Sequence, residues 1–442
     1  ENGLEITQAF KDAFVLAENS HNLIISGKAG TGKSTLLRLI VEAHTAAGRA
    51  VQVVAPTGVA ALNVGGQTIH KFFAFRADLS PDLRDYRPPG SLSDIDLLVI
   101  DEISMARADL VDMMDRALRR AKKSDAVFGG LQIVMVGDLF QLAPVVSRNE
   151  SETLLANYAT PFFFSSKAVG RLTFETVDLE KVFRQSDRVF IDLLNSIRDG
   201  SAGDPEIHLL NEQVADDVSG PMFAGHVTLT TTNKVADMIN RERLEELPER
   251  KFVSIATYSG DFDVAGYKVE QEVEFGVGAQ VMLLVNAEGY VNGSVGVIES
   301  VRDEAEGRLE VGIRLSESGA LVFVGRHRWE ILEARKTDGG IQQDVVGFFE
   351  QVPFKLAWAI TVHKSQGKTI ERVHLDLGGG SFETGQTYVA LSRCRSFAGL
   401  SMSRPIRKSD IKVDHESKKF YYGLRHIIEK LPPAEMLRTL AD

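Results

Sequence analysis

Apolar residues in the first third of the chain form short runs that alternate with amphipathic stretches. The apolar runs lie at 23–25, 51–55, 96–100 and 132–136. Helical spacing of apolar positions precedes the first run, at 4–18, and recurs between the runs, most clearly at 36–41 and 108–123. Buried strands that alternate with helices and carry polar residues at their C-terminal ends predict a doubly wound parallel sheet.

A second α/β pattern begins beyond about residue 165. Its strands are predicted at 227–230, 356–361 and 373–377, and a helix at 387–395. Residues 255–350 differ, because short alternating runs are separated there by glycines and charged turns, which predicts a small inserted antiparallel β domain. The amphipathic end of the chain is predicted to be helical, and the sequence indicates no function for it.

The first strand leads into Gly27-Lys28-Ala29-Gly30-Thr31-Gly32-Lys33-Ser34, followed by Thr35 and a helix. Glycines allow successive backbone N–H groups to turn around a phosphate, and the helix N-terminus adds partial positive charge. We expect Lys33 to reach the β- and γ-phosphates and the Ser34 hydroxyl to bind Mg²⁺. The predicted nucleotide-binding residues of this loop are Gly27, Ala29, Gly30, Thr31, Gly32, Lys33, Ser34 and Thr35.

Two further strand ends carry candidate chemistry. Asp101 and Glu102 follow the third strand, where one carboxylate can hold Mg²⁺ and the other can orient and deprotonate an attacking water. Gln141 follows the fourth strand and is expected near the γ-phosphate. Together with the loop, these residues predict a site that hydrolyses a nucleoside triphosphate.

Chain length and charge bear on the number of domains and on the type of partner. The 442 residues suffice for about three compact units. The net charge of −11 argues against a nucleic-acid partner, but the charge is uneven. Residues 354–410 hold nine Lys/Arg against four Asp/Glu, net +5, and residues 204–274 hold six against fifteen, net −9. A locally basic face on an acidic protein can still bind phosphates.

Other compositional features exclude several classes. Cys394 is the single cysteine, which excludes an internal disulfide and fits a reducing compartment. No run approaches the roughly 18–20 apolar residues of a membrane span, and no signal peptide opens the chain, so we expect a soluble protein that is not exported and has no membrane partner. Phe72, Phe73 and Phe75 lie beside cationic residues and could stack nucleic-acid bases, or could belong to the core.

The motifs taken together resemble superfamily-one helicases of the Pif type, over roughly residues 4–405. The stretches that carry the resemblance are 27–35, 55–61, 66–73, 101–105, 137–145, 183–185, 292–296, 361–369 and 389–395. A further segment, from Asp115-Arg116 to Phe128-Gly129-Gly130-Leu131-Gln132, is similar to the one that separates Pif-type enzymes from their RecD-like relatives.

The resemblance implies two RecA-like domains with ATP between them, a pin or wedge inserted in the first and an SH3-like barrel in the second. The expected boundaries are 1–165 for the first domain with its pin at 72–93, 166–254 and 351–410 for the second domain, 255–350 for the barrel, and 411–442 for a helical tail. It also implies ATP-driven movement 5′→3′ along single-stranded DNA, with separation of the duplex ahead.

The resemblance implies roles for individual residues. Gln8 would contact adenine, and Glu102 would contact the attacking water. Ser34 and Asp101 would bind Mg²⁺. Arg184 and Arg393 would act as arginine fingers. Lys33, Gln141 and Gly367 would complete the ATP site. The residues expected to face the DNA strand are Thr57, Thr68, His70 and Phe72 in the first domain and Thr361, His363, Lys364 and Ser365 in the second.

Three other functions remain open from the sequence: an NTPase switch that does not touch nucleic acid, a DNA-binding module without hydrolysis, and a single-strand translocase that unwinds poorly because the pin is short. The expected partners of a helicase are single-stranded DNA and 5′-tailed duplex or fork DNA, and we expect a monomer when free. Its compartment would be the cytoplasm and nucleoid in a bacterium, and the nucleus or mitochondrion in a eukaryote.

Overall fold

The computed structural model describes residues 6–75, 83–84, 86–185, 187–215, 225–260, 270–304, 308–337 and 340–430. The chain forms two compact units. The first unit comprises Glu1–Phe183, Leu332–Val345 and Asp414–Asp442, and the second comprises Arg184–Ile331 and Val346–Val413. Among the described residues, no helix has the length and apolar character needed to cross a membrane.

The helices of the described residues are α1 Gln8–Glu18, α2 Lys33–Ala46, α3 Gly58–Asn63, α4 Ile69–Phe72, α5 Ser91–Asp94, α6 Ala108–Lys122, α7 Arg148–Asn157, α8 Arg188–Asp199, α9 Asp204–Asn211, α10 Asn233–Glu245, α11 Gln386–Leu391 and α12 His415–Lys430. The strands are β1 Leu23–Gly27, β2 Val51–Ala55, β3 Gln67–Thr68, β4 Leu97–Ile100, β5 Gln132–Gly137, β6 Glu175–Leu179, β7 Val227–Thr230, β8 Lys251–Ile255, β9 Thr257–Gly260, β10 Glu272–Gly276, β11 Gln280–Leu283, β12 Val295–Glu304, β13 Arg308–Leu315, β14 Leu321–Val324, β15 His327–Thr337, β16 Gly340–Gln351, β17 Phe354–Leu356, β18 Ala359–Thr361, β19 Val373–Asp376 and β20 Leu400–Met402.

A six-stranded parallel sheet organises the first unit, in the order β3-β2-β4-β5-β1-β6. Every residue of β1, β2, β4 and β5 is buried, as expected for parallel strands covered on both faces. α1 and α2 contribute Phe10, Leu36 and Ile40 to the core on one face of this sheet. The parallel sheet inferred from the apolar runs is therefore present.

The first unit extends further along the chain than the expected boundary at 165. β6 pairs in parallel with β1, from Leu23 opposite Glu175 to Gly27 opposite Leu179. Only alternate residues of β6 are buried, so the sequence lacks the continuous apolar run that marked the other strands. An edge strand needs only one buried row, which explains why the hydrophobic pattern did not assign it to this sheet.

The second unit contains a four-stranded parallel sheet, β18-β7-β19-β20. The antiparallel groups of the described residues are β14-β13-β12-β11-β17, β10-β8 and β15-β16-β9, and Leu332–Val345 of β15 and β16 belong to the first unit. The first two groups enclose a separate apolar core in which the rings of Phe275 and Phe354 meet edge to face at 5.1 Å. The antiparallel insertion is thus present, with strands that begin at Lys251 and end at Leu356, and its description as an SH3-like barrel stays a prediction.

Two expected segments lie partly outside the described residues. For the pin at 72–93, residues 76–82 and 85 are not described, and for the tail at 411–442, residues 431–442 are not. The described part of the tail, α12, belongs to the first unit instead of forming a separate element. Its Phe420 ring stacks on Phe164 at 4.5 Å and 16°.

The segment from Asp115 to Gln132 connects α6 to β5. The buried carboxylate of Asp115 in α6 accepts a hydrogen bond from the Phe128 N–H at 2.6 Å, and it also pairs with Arg119 at 2.9 Å. Phe128 and Gly129 both have positive φ, 51° and 66°. Asp115 therefore holds a strained turn that brings the chain back to the sheet.

Gly129 and Gly130 provide a test of this turn, because both have positive φ but only one lies against backbone. A Cβ on Gly129 would lie 2.8 Å from Leu118 O, whereas one on Gly130 would meet only Ala126 Cβ at 3.7 Å. We expect Gly129→Ala to lower the free energy of unfolding by about 1–3 kcal/mol more than Gly130→Ala. Urea denaturation of the two variants measures the difference, and equal midpoints would contradict the packing argument.

Candidate functional site

The loop between β1 and α2 has the backbone shape of an anion site. Gly30 and Gly32 have φ of 77° and 85°, a region that L side chains rarely adopt, and Gly32 is the N-cap of the fourteen-residue α2. A Cβ on Gly27 would lie 2.7 Å from Thr31 Oγ1 and 2.9 Å from Leu179 Cβ. The loop is thus close-packed at its start and directs a helix N-terminus toward its centre.

The Lys33 side chain folds back over this loop. Its Nζ donates hydrogen bonds to Gly27 O at 2.8 Å and Lys28 O at 2.9 Å, and Thr31 Oγ1 donates to Lys28 O at 2.9 Å. These contacts hold an ammonium group at the N-terminus of α2. A phosphate bound there would be attracted both by the ammonium and by the partial positive charge of the helix N-terminus. The loop residues therefore fit a nucleoside triphosphate.

Asp101 and Glu102 lie at the C-terminal end of β4. Asp101 is buried and accepts the Glu102 N–H at 2.9 Å. Burial, together with the negative charge of Glu102, raises the pKa of Asp101 to about 7, and the positive charge of Lys33 acts in the opposite direction. Glu102 adopts φ 49°, an uncommon conformation for a residue with a side chain. Such strain is found at functional sites, where it aims a side chain.

Gln141 follows β5 in a tightly bonded turn. The Phe140 N–H donates to Asp138 Oδ1 at 3.2 Å, and the Gln141 N–H donates to Asp138 O at 3.1 Å. β4, β5 and β1 are neighbours in a parallel sheet, so their C-terminal ends lie along one edge. The first unit thus brings Lys33, the acidic pair and Gln141 to the same edge.

The available ligands fit magnesium better than a metal held by protein alone. No group of three or more His, Cys, Asp or Glu in the described part of the chain is arranged to hold a metal. Asp101 and Ser34 offer hard oxygen atoms, and Mg²⁺ typically binds one or two protein oxygens together with substrate phosphates and water. These residues fit a Mg²⁺ ion that enters with a nucleotide.

Gln8 lies in the first turn of α1, the helix beside the loop. Its Nε2 donates to Asp12 Oδ1 at 2.7 Å on the exposed side of the helix. The neighbouring Phe10 ring would lie 3.7 Å from a Cβ at Gly32. α1 therefore packs on the loop, and an adenine contact by Gln8 stays a prediction.

Phe183 was not singled out by sequence reasoning, although its motif was. Its N–H donates to Gly30 O at 2.8 Å, and its ring would lie 4.0 Å from a Cβ at Gly32. The ring is nevertheless 39% exposed. The backbone of Phe183 is thus bonded to the phosphate loop, and the Lys181 ammonium lies 5.5 Å from the centroid of its ring. The signal in the sequence was a lone aromatic between two cations, Lys181 and Arg184.

The two candidate arginine fingers lie in the second unit. Arg184 Nη1 donates to Ser392 O at 3.2 Å, which places it beside the turn that carries Arg393. Arg393 is 1% exposed, and its Nε and Nη2 donate to Val389 O and Ser392 Oγ, each at 2.9 Å. The structure thus brings both arginines to one place, the C-terminal end of α11.

Of the first-unit residues expected to face DNA, Thr57 and Thr68 act as helix caps. They accept N–H bonds from Ala60 and Lys71 at 3.3 and 3.2 Å. His70 is exposed.

Phe72 differs from the expectation. It is 4% exposed and packs edge to face on Phe73 at 5.3 Å, while Phe73 stacks on Phe75 at 5.2 Å. The ring belongs to an aromatic core cluster because burial of this apolar surface is favourable, so base stacking by Phe72 is corrected to core packing.

The second-unit residues expected to face DNA form one turn after β18. Thr361 Oγ1 accepts the Lys364 N–H at 3.3 Å, and the buried Ser365 Oγ donates to Val362 O at 2.7 Å. His363 Nε2 lies 3.0 Å from Glu383 Oε2, and Lys364 Nζ lies 3.8 Å from Glu270 Oε1. Gly367 lies at the end of this turn with φ 77°. The two hydroxyl groups shape the turn, whereas His363 and Lys364 are partly exposed.

Comparison with known proteins places these features in a family. The profile of the PIF1-like helicases matches residues 4–207. The human ATP-dependent DNA helicase PIF1 is 35% identical over 418 residues, which cover 91% of this chain and 61% of the human protein. The ATP-dependent DNA helicase Pif1 of Bdellovibrio bacteriovorus is 30% identical over 439 residues, with 94% of this chain and 92% of that protein covered. The chain thus spans less than two thirds of the human relative.

The fold agrees with this assignment. The structure of Pif1 from Bacteroides sp in complex with ADP-AlF4 matches with a TM-score of 0.86 and 32% identity, covering 96% of this chain and 98% of that one. A structure of Bacteroides Pif1 bound to single-stranded DNA is also similar, as is a structure of Pif1 helicases that concerns DNA unwinding at forked double-stranded DNA. The predicted fold class is confirmed, with two RecA-like domains. The 30% identity to the Bdellovibrio protein over 92% of its length, together with the shared fold, establishes that this chain is a member of the PIF1-like helicase family.

Proposed function

We propose that this protein is an ATP-dependent DNA helicase that moves 5′→3′ on single-stranded DNA and unwinds duplex or forked DNA. The observation that carries the proposal is the shared sheet edge of Lys33, Asp101, Glu102 and Gln141. The names of the human and Bdellovibrio relatives, the Bacteroides Pif1 structure with single-stranded DNA and the Pif1 structure that concerns unwinding at forked DNA support DNA as the substrate. We further propose a monomer when free.

Each residue of the edge has a task in hydrolysis. Lys33 supplies positive charge to the β- and γ-phosphates, and the loop N–H groups bind phosphate oxygens. Ser34 and Asp101 would hold Mg²⁺, which neutralises charge on the phosphates when bound. Glu102 orients and deprotonates the attacking water, and Gln141 contacts the γ-phosphate. Burial of Asp101 keeps this chemistry in a low-dielectric environment, where charge interactions are stronger.

Arg184 and Arg393 are proposed to stabilise the γ-phosphate in the transition state. Charge-assisted bonds to this phosphate favour a closed arrangement with ATP, and hydrolysis removes them. Arg393 would exchange its bonds to Val389 O and Ser392 Oγ for bonds to phosphate. Alternate grip on the strand by the two domains then converts each ATP cycle into a step.

DNA binding is assigned to the turn after β18 and to the first-unit threonines and His70. Lys364 and His363 offer cationic or hydrogen-bonding side chains, and Thr361 and Ser365 hold the turn that presents them. Phosphate contacts of this kind position the strand without reading its sequence. A DNA substrate also implies a compartment that contains DNA, which is the nucleoid in a bacterium and the nucleus or mitochondrion in a eukaryote.

The second candidate function is that of a single-strand translocase that unwinds DNA poorly. The described aromatic residues of the predicted pin, Phe72, Phe73, Phe75 and Tyr86, are buried, and Tyr86 OH donates to Phe73 O at 2.6 Å. Rings that pack into the core cannot wedge between base pairs. A fork with a 5′ tail, compared with a fork with a 3′ tail, separates a helicase of the proposed direction from a translocase that opens neither.

Binding of single-stranded DNA is expected to be coupled to ATP hydrolysis. We expect a short single-stranded oligonucleotide to stimulate steady-state ATP hydrolysis strongly, and added salt to weaken the stimulation because cations compete for phosphate contacts. Glu102→Gln keeps the shape of the side chain and removes the base, so hydrolysis should fall by at least about 10² while ATP still binds. Hydrolysis that ignores DNA would favour an NTPase switch instead.

The proposed role of Arg393 as an arginine finger can be tested by substitution. Arg393→Ala should lower the DNA-stimulated rate by about 10³ or more and leave ATP binding partly intact, since arginine fingers are worth 10³–10⁵ in GTPases. Arg395→Ala is the matched control, because Arg395 is on the same turn but pairs on the surface with Glu317 and Glu371. ATPase rates, nucleotide binding and melting temperature are measured together, and a near-normal rate in Arg393→Ala would refute the role.

A further inference from the structure

The C-terminal helix α12 is anchored in the first unit by specific side chains. Asp414 precedes the helix, and its Oδ1 accepts the Ser417 N–H at 2.7 Å. Phe420 stacks on Phe164, and the adjacent Tyr421 is 4% exposed. The stacked rings and the buried Tyr421 give this helix a defined position, so its contacts can be followed to the sheet.

Tyr421 contacts two segments that lead to the proposed ATP site. Its OH donates to Asp178 Oδ2 at 2.6 Å, and its ring meets the Phe140 ring edge to face at 5.0 Å and 76°. A hydrogen bond to a carboxylate is stronger than one between neutral groups, and an aromatic pair of this geometry is favourable. One side chain therefore bridges the end of β6 and the turn after β5.

Phe140 is the residue before Gln141, and both belong to the turn bonded to Asp138. Asp178 lies opposite Ser26 in the β1–β6 pairing, and the next pair is Gly27 with Leu179. Leu179 Cβ closes the space beside Gly27 that a side chain would need. The two contacts of Tyr421 thus act one residue away from the γ-phosphate sensor and one residue away from the start of the phosphate loop.

We propose that Tyr421 is a positioning residue of the ATP site, which fixes the Gln141 turn relative to the phosphate loop. Through Phe140 it limits movement of the Gln141 backbone, and through Asp178 it holds β6 against Gly27. The proposal rests on the proposed function, because it assigns a task to Gln141 in hydrolysis. Placement errors near 1 Å are costly in catalysis, which gives the bridge a measurable effect.

The same helix is also a covalent continuation of the second unit, whose last residue is Val413. Val413 packs against Gly200, where a Cβ would lie 3.0 Å from Val413 Cγ2. The preceding Lys412 O accepts the N–H of Gly385, the N-cap of α11, at 3.0 Å. α11 ends at Leu391, and Arg393 lies two residues further along the chain.

Tyr421→Phe tests the bridge in the full-length chain, with Tyr422→Phe as the matched control. Tyr422 is the next residue of the same helix and is 43% exposed. We expect Tyr421→Phe to lower kcat of DNA-stimulated ATP hydrolysis by about three- to tenfold with KM for ATP nearly unchanged. The affinity for ADP with aluminium fluoride should fall by a similar factor, while the affinity for ADP alone stays as in the unsubstituted protein. Tyr422→Phe should match the unsubstituted protein in all four measurements.

Two results would overturn the proposal. One is a Tyr421→Phe variant with unchanged kcat and unchanged transition-state-analogue affinity. The other is a loss of ADP and analogue binding in the same proportion, together with a lower melting temperature, because that pattern means loss of folded protein. If the unsubstituted protein itself shows no DNA-stimulated hydrolysis, the helicase function fails first and the assignment of Tyr421 falls with it, so the two failures are distinguished.

Discussion

The close approach of β6 to Gly27 is the contact on which the first unit depends. Leu179 occupies the space that a side chain at Gly27 would need, and this lets β1 end directly in the phosphate loop. From that point Gly30 and Gly32 turn the chain through conformations that other residues avoid, and α2 begins at Lys33. This packing fixes the start of the loop, and the parallel order β4-β5-β1 brings the ends of these strands to one edge.

Buried charge dominates the chemistry of that edge. Asp101 is held in an apolar strand end beside Glu102, so each negative charge raises the energy of the other, and Lys33 provides the compensating charge. A cation and a polyphosphate that arrive together would satisfy both the carboxylates and the lysine. The environment of the two arginines of the second unit is different, because Arg184 donates to Ser392 O, and Arg393 donates to Val389 O and Ser392 Oγ.

Several sequence features that carry the family resemblance have structural explanations. Asp115, Phe128 and Gly129 form a strained turn between a helix and a strand. Thr57, Thr68 and Thr361 accept backbone N–H bonds and shape the ends of strands. These bonds stabilise the backbone conformation of the motif in which each residue lies. The bridge from Tyr421 to Phe140 and Asp178 has the same character, although Tyr421 itself lies outside every motif.

The sequence by itself determined the parallel sheet, the antiparallel insertion, the phosphate loop and the acidic pair, because each depends on local periodicity or on residues adjacent in the chain. Tertiary structure decided the rest. β6 joins the first sheet across some 150 residues, Phe72 enters an aromatic core, Phe183 lies on the phosphate loop, and α12 returns to the first unit. These outcomes depend on which surfaces meet after the chain has folded, and a hydrophobic pattern states that a face will be buried without stating its partner.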